Sequence, residues 1–315
     1  MKYLVVGAAG QVGRNLVSLC AAAGDPVVAT FNTRQPPGDA SALDRLDKTD
    51  PAACREVLQR HRPDVVIDTG ALHNVDYCES HRDESFRVNA EGTGNLARAA
   101  REVGAQFVFV STDFVFDGSL SRPYAEADAP QPQSEYARSK LLGERITMET
   151  EATNLVVRPS VIYSWLDTRQ RAESSSGKGL NFGTWLVEEV ARGRTVRIIN
   201  DQVASPTLAG DLAGAILALV RHDQCGVFHT AGLTATNRFD FSVRLVQGLG
   251  LDSSLVTPVR TADLGQKAPR PVNSSLDSSA LSAATGYRML TLEAAIRRFR
   301  EDFAADPGTG ALRPA

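Results

Sequence analysis

The sequence predicts an α/β protein, a parallel sheet with helices packed on both faces. Three observations predict it. Short, continuously apolar strand candidates recur through residues 1–160, helical stretches separate them, and a glycine-spaced turn joins the first strand to the first helix.

Tyr3-Leu4-Val5-Val6 is an apolar run that stops at Gly7. Val12–Ala23 reads as a helix with Leu16, Leu19 and Cys20 on one face. Pro26–Phe31 is the second strand. Residues 51–60 form a helix that Pro51 opens behind Asp50, a favourable N-cap. Val65–Ile67 is the third strand, Ser85–Val103 a long helix, and Gln106–Val110 the fourth strand. Tyr136–Thr150 is a helix and Leu155–Val157 the fifth strand. Such strands are buried on both faces. Right-handed crossovers place the loops that follow them along one edge, where ligands bind.

Beyond residue 160 the pattern loosens. Leu166–Lys178 is polar and reads as a surface loop or lid within 164–180. Phe182–Arg192, Gly210–Val220, Asn237–Leu249 and Leu292–Asp302 read as helices, and Thr195–Ile199 and Val227–His229 as strands. Residues 303–315 are mostly small or polar and are expected to form a flexible tail.

Composition bounds the function. The 315 residues are 43% hydrophobic and 23% charged, ordinary for a soluble globular protein. A net charge of -3 argues against nonspecific nucleic-acid binding. The four cysteines, Cys20, Cys54, Cys78 and Cys225, are widely separated, which suits reduced thiols better than zinc or disulfides. No apolar run reaches membrane-spanning length and the N-terminus lacks signal-peptide features, so no membrane partner and a cytoplasmic location are expected.

Gly7, Gly10 and Gly13, with Gln11 and Val12 between the last two, open the first helix in a G-x-x-G-x-x-G spacing. Glycines there allow a tight turn and close backbone approach, and the helix N-terminus can receive a pyrophosphate. The spacing is not G-x-G-x-x-G, but its place between strand one and helix one favours a nucleotide role over a plain turn. Strand two ends in Asn32-Thr33-Arg34 with no acid. Arg34 therefore favours NADP(H) over NAD(H), against a plain solvated arginine. Asp47 and Asp50 either line the adenine end of the cleft or cap the next helix, the cap being the better reading of Asp50.

Tyr136 and Lys140 lie four residues apart on one helix and share a face, while Ser111 and Thr112 follow strand four. Hydride addition to a ketone creates alkoxide character, which needs a donor and a proton. Tyr136 is assigned as the acid and Lys140 as its electrostatic partner, holding the phenol's pKa down and orienting the cofactor ribose. Thr112 is assigned as the hydroxyl that orients the substrate. Asp113 either orients a catalytic group, binds substrate or closes a turn. His73, Asn74 and Asp76 follow strand three, Asn89 sits in a helix near backbone, and Asp201-Gln202 and Asn273-Ser274 fall in loops where a sugar or phosphate could be held. No His, Cys or Asp grouping has zinc-ligand spacing, so no metal is expected. Ser111 lacks the elbow of a hydrolase.

These residues carry a resemblance. The motifs are Gly7-x-x-Gly10-x-x-Gly13, Pro63-Asp64-Val65-Val66-Ile67, Val75-Asp76-x-x-Glu79, Val88-Asn89, Ser111-Thr112-Asp113-Phe114-Val115-Phe116-Asp117-Gly118 and Tyr136-Ala137-Arg138-Ser139-Lys140. Asn181-Phe182, Asp201-Gln202, Ser205-Pro206-Thr207 and Arg270-Pro271-x-Asn273-Ser274 follow. Together they resemble the extended short-chain dehydrogenase/reductases of the dTDP-4-dehydrorhamnose reductase-like branch, over nearly the whole chain. The resemblance implies a Rossmann core over 1–160, a smaller C-terminal substrate lobe over 161–302 with segments that return to the core, and a tail over 303–315. It implies reduction of a 4-keto nucleotide-sugar, dTDP-4-dehydro-L-rhamnose to dTDP-L-rhamnose, with a nicotinamide cofactor.

Thr112, Tyr136 and Lys140 match the branch's catalytic positions. Ala71 is expected at the cofactor, and His73, Asp113, Phe114, Asn181 and Gln202 at the substrate. Some members of the branch are homodimers. Two departures stand out. The usual Asn-Ala-Ala-Ala-Tyr is Asp68-Thr69-Gly70-Ala71-Leu72, and the usual Tyr-Gly is Tyr163-Ser164. Because the branch includes nonenzymatic relatives, an NADP-binding regulatory subunit is one alternative, and a nucleotide-sugar epimerase or dehydratase is another.

Overall fold

The computed structural model describes residues 1–36, 40–166 and 181–312. In chain order its first half holds β1 (Tyr3–Val6), α1 (Gln11–Ala22), β2 (Val27–Phe31), β3 (Ala42–Arg45), α2 (Pro51–His61) and β4 (Val65–Asp68). It continues with α3 (Val75–Ser80), α4 (Arg82–Phe86), α5 (Gly92–Val103), β5 (Gln106–Val110), α6 (Glu135–Thr150) and β6 (Leu155–Arg158). The second half holds β7 (Ile162–Tyr163), α7 (Phe182–Ala191), β8 (Val196–Ile199), β9 (Val203–Ala204), β10 (Thr207–Leu208) and α8 (Ala209–Arg221). Then come β11 (Gly226–His229), β12 (Thr236–Asn237), α9 (Arg238–Gly248), β13 (Val256–Val259), α10 (Ser279–Thr285) and α11 (Leu292–Ala305).

Seven parallel strands form the main sheet in the order β11-β6-β5-β4-β1-β2-β3. The chain runs from β1 outward through β2 and β3, then returns to the other side of β1 as β4. That reversal opens a crevice beyond the carboxyl ends of β1 and β4, where ligands bind in open α/β sheets. Every residue of β1, β4 and β6 is buried, as continuous apolar runs in a doubly covered sheet require.

One face of the sheet packs on α1 and α8, through Val5, Val157, Leu16 and Ile216. The other packs on α2 and α5, through Leu4, Val28, Leu58 and Leu96. The expected face of α1 shifts by one position. Val12, Leu16 and Cys20 form the buried row while Leu19 is 39% exposed, because i and i+4 side chains stack and the i+3 neighbour falls on the flank. Asp50 caps α2, accepting from the Ala52 and Ala53 amides. The long helix expected from Ser85 begins earlier, at Arg82, and carries a π turn over Arg87–Glu91. Such a turn widens the helix locally and turns Asn89 inward.

A separate apolar cluster fills the second lobe, with Tyr163, Trp165, Leu186, Phe241 and Phe299 at its centre. The described part of the expected tail, 303–312, packs on this cluster. Phe303 is buried, the Trp165 indole donates to Asp306 at 3.0 Å, and the buried Thr309 hydroxyl donates to the Phe303 carbonyl at 3.0 Å. Aromatic packing thus holds a stretch whose composition reads as a tail. The expected lid falls largely on 167–180, outside the described residues. Among the described residues no helix is long and apolar enough to cross a membrane.

Candidate active site

The first turn after β1 is built for close approach. Gly7 has φ +76°, a left-handed conformation that favours glycine. A Cβ on Gly13 would lie 2.5 Å from the Gly7 carbonyl oxygen, so α1 can meet the turn only with glycine there. Gly10 caps α1 without any side-chain hydrogen bond, which leaves the positive end of an N-terminal turn open toward the crevice. This cradle fits a dinucleotide pyrophosphate.

The opposite wall is the loop after β4. The Thr69 hydroxyl donates to the Val6 carbonyl at 2.7 Å, and a Cβ on Gly7 would meet the Gly70 amide at 3.0 Å. Beneath this loop lies an ion pair that sequence reasoning missed. Lys48 donates from Nζ to Asp68 Oδ2 at 2.6 Å, to the Gly70 carbonyl at 2.6 Å and to Thr93 at 3.3 Å. Both side chains are buried. The available signal was Asp68 itself, an acid closing an apolar buried strand, which demands a nearby cation. Asn89 braces the next residue from the π turn, accepting from the Leu72 amide at 2.9 Å and donating to its carbonyl at 3.0 Å.

Helix α6 carries Tyr136 and Lys140. Ser134 caps it by accepting from the Ala137 amide, and Tyr136, Lys140 and Glu144 follow on its buried face. The helix sits hard against the π turn, since a Cβ on Gly143 would lie 2.6 Å from the Asn89 carbonyl. The Lys140 ammonium donates to the Val110 carbonyl at 2.7 Å and lies 4.0 Å from the centre of the Phe109 ring. Burial, reinforced by the Lys48 charge, pulls it down to about 7.

The Tyr136 ring meets Phe114 edge-on at 6.4 Å. Its phenol departs from expectation. Burial pushes its pKa well up, the Thr112 hydroxyl opposes this, and Lys140 has no part in the shift. The reason is geometric, because the ammonium is turned to the Val110 carbonyl beneath the helix.

Thr112 accepts from the Phe114 amide at 3.2 Å and donates to Asp113 Oδ1 at 3.0 Å. Asp113 is buried and also accepts from Ser160 at 2.7 Å and from Ser274 at 2.6 Å. Its carboxylate therefore ties three segments together and orients Thr112. Burial raises its pKa against those three hydroxyls. Ser111 points elsewhere, donating to Glu144, which is bridged to Arg158 at 2.6 Å.

One cavity of about 320 Å³ collects most of the expected residues: Gly10, Gln11, Val12, Ala71, His73, Thr112, Asp113, Phe114, Tyr136 and Lys140 all line it. A small pocket beside it is lined by Phe114 and Gln202. Gly7 and Gly13 shape the turn without lining the cavity. Asn32, Arg34 and Asp47 lie at the far end, by β2. Arg34 donates to the Ala9 carbonyl at 2.7 Å, the Asn32 carbonyl accepts from Arg45 at 3.0 Å, and Asp47 accepts from the Thr49 amide at 2.9 Å. Asn181 stands outside both pockets and caps α7, accepting from the Gly183 and Thr184 amides. Arg238, which sequence reasoning passed over, lines both.

A family model described as the RmlD substrate binding domain matches residues 1–305. The chain is 35% identical over 294 residues to a dTDP-4-dehydrorhamnose reductase of Mycobacterium tuberculosis, covering 91% of this chain and 89% of that one. It is 33% identical over 293 residues to a protein of Haloferax volcanii named as a low-salt glycan biosynthesis reductase, covering 93% and 95%. Among solved structures, the dTDP-4-dehydrorhamnose reductase of Bacillus anthracis in complex with NADP superposes with a TM-score of 0.84 at 27% identity, covering 96% of this chain and 99% of that one. Since the sequence match and the superposition both run through the sheet, the glycine turn and the second lobe, the chain belongs to the dTDP-4-dehydrorhamnose reductase family.

Proposed function

We propose that the protein is an NAD(P)H-dependent oxidoreductase that reduces the 4-keto group of a dTDP-6-deoxy-sugar, with dTDP-4-dehydro-L-rhamnose as substrate and dTDP-L-rhamnose as product. One observation carries the reading. Tyr136, Lys140 and Thr112 line a single cavity with the open N-terminus of α1. NADP(H) is favoured over NAD(H) because Arg34 stands at the end of β2, bonded to the glycine turn through Ala9, where no acid follows the strand.

A bound nicotinamide supplies the hydride. The Thr112 hydroxyl, which rests on Asp113, turns its single proton to the substrate carbonyl oxygen when substrate enters. As that oxygen gains negative charge, the Tyr136 phenol donates its proton to it. The phenol is protonated at neutral pH already at its ordinary value of about 10, so it is a donor from the start. Lys140 orients the cofactor ribose from beside Phe109. The loop from Thr69 to Ala71 closes the cavity on the opposite side.

We also propose the division into a Rossmann core and a substrate-holding second lobe, action in the cytoplasm and assembly as a homodimer. Four free cysteines, three of them buried, support the cytoplasm. Sedimentation of the purified chain tests the dimer.

Loss of NADPH absorbance on adding dTDP-4-dehydro-L-rhamnose, with one product sugar per cofactor oxidised, is the expected result. NADPH binding without turnover overturns the reading in favour of a regulatory subunit. Product formed with no net cofactor loss overturns it in favour of an epimerase.

A further inference from the structure

Arg238 opens α9 and reaches from the second lobe to the cavity that holds Tyr136, Lys140 and Thr112. It also lines the adjoining pocket with Gln202 and Ser274. Its guanidinium lies 4.8 Å from the centre of the Phe182 ring. Among the described residues no hydrogen bond or ion pair engages it.

The other arginines of this region behave differently. Arg158 is bridged to Glu144 at 2.6 Å and Arg270 to Asp76 at 2.8 Å. Asp113 is the acid whose charge acts on Arg238, but its oxygens are committed to the hydroxyls of Thr112, Ser160 and Ser274. A half-buried guanidinium with five N–H donors and no counterion is costly unless an anion arrives. The face of the Phe182 ring lies beneath its cation, an attraction that does not use up any N–H donor.

Two anions enter such a site. The cofactor's pyrophosphate is accounted for at the glycine turn, by the open end of α1. Arg238 belongs to the other lobe. The geometry points to Arg238 as the residue that binds the diphosphate of the sugar nucleotide, with Phe182 as its platform. This rests on the proposed function, since it takes the substrate to be a nucleoside diphosphate sugar. A planar fork suits that ligand because guanidinium donates two parallel bonds to phosphate oxygens. The pocket shared with Gln202 and Ser274 then lies on the nucleotide side of the sugar.

The test is calorimetric titration of the full chain and of Arg238→Met and Arg238→Lys with dTDP, UDP, GDP and thymidine, alongside NADPH. Arg238→Met is expected to weaken dTDP binding by about 10- to 100-fold, the worth of charge-assisted hydrogen bonds. Arg238→Lys should recover part of the loss, and NADPH affinity should stay level, which also shows that the variants fold. In turnover, the loss should appear in KM for the sugar nucleotide more than in kcat. Unchanged dTDP affinity in Arg238→Met overturns the inference while leaving the proposed function standing. An equal loss for NADPH also overturns it, assigning Arg238 to the cofactor. If UDP or GDP binds in place of dTDP and its binding depends on Arg238, the inference holds and the proposed substrate falls. No binding of any nucleoside diphosphate to the full chain overturns both.

Discussion

Replacing Lys48 with methionine removes the cation from under the loop after β4 and leaves Asp68 buried. Three contacts go at once, to Asp68 at 2.6 Å, the Gly70 carbonyl at 2.6 Å and Thr93 at 3.3 Å. Side-chain exposures of 7% and 0% mean that water cannot take their place. Breaking one end of such a pair costs about 3–5 kcal/mol, most of it from the stranded charge. With a urea dependence of ~3 kcal/mol per molar, suited to a chain of this size, the unfolding midpoint falls by about 1–1.7 M.

The double variant Lys48→Met/Asp68→Asn is the control. An asparagine oxygen can still accept from the Gly70 amide, as Asp68 does at 3.0 Å, and its amide can donate to Thr93. With no charge left to strand, the double variant should recover to within about 1 kcal/mol of the parent. Urea unfolding followed by circular dichroism reads both. A single variant that loses under about 1 kcal/mol, or a double variant no better than the single, refutes the argument that a stranded buried charge sets the cost.

Three further outcomes follow from the site. Tyr136→Phe should lower kcat by roughly 10²–10⁴-fold while NADPH affinity holds, and steady-state rates near the parent's would remove the phenol from proton donation. Gly13→Ala puts a Cβ 2.5 Å from the Gly7 carbonyl oxygen and should weaken NADPH by about tenfold or more in a fluorescence titration, an affinity at parental level being the contrary result. Lys140 has a folded pKa near 7 against an unfolded value of about 10.5. Below 7 the buried ammonium opposes folding, and as pH rises through that window the unfolded chain holds the extra proton and stability returns. The unfolding midpoint of Lys140→Met should therefore exceed the parent's most near pH 6 and the gap should close toward pH 10, whereas a gap flat with pH contradicts the burial argument.

Strands buried on both faces were readable from sequence because they are apolar throughout. β3 was not, because Ala42-Leu43-Asp44-Arg45 lies at the sheet edge and carries charge on its open side. Tyr136 and Lys140 were found by a spacing that a helix converts directly into proximity. Lys48 meets Asp68 across a crossover, and Arg238 lines the Tyr136 cavity from the other lobe. No local pattern encodes either encounter.

The mutual orientation of phenol and ammonium was also beyond sequence, since it depends on which carbonyl Lys140 reaches first. Asn181 carries a role that its sequence context did not announce. Its place in a family motif pointed to a ligand, yet its side chain caps α7 at the end of the segment outside the description. The cap fixes where α7 starts, and with it Phe182, the platform under Arg238.

β11 comes from the second half of the chain yet pairs with β6 along four residues, from Gly226 opposite Leu155 to His229 opposite Arg158. α8, from the same half, covers the sheet beside α1. A fragment ending at residue 160 would thus present β6 as a naked edge and a bare apolar face, the conditions for sticking to its own copies rather than for independent folding. Synthesis must run past residue 229 before the nucleotide crevice has a finished floor, so the two lobes mature together and a substrate lobe exchanged between relatives would have to bring its own outer strand with it.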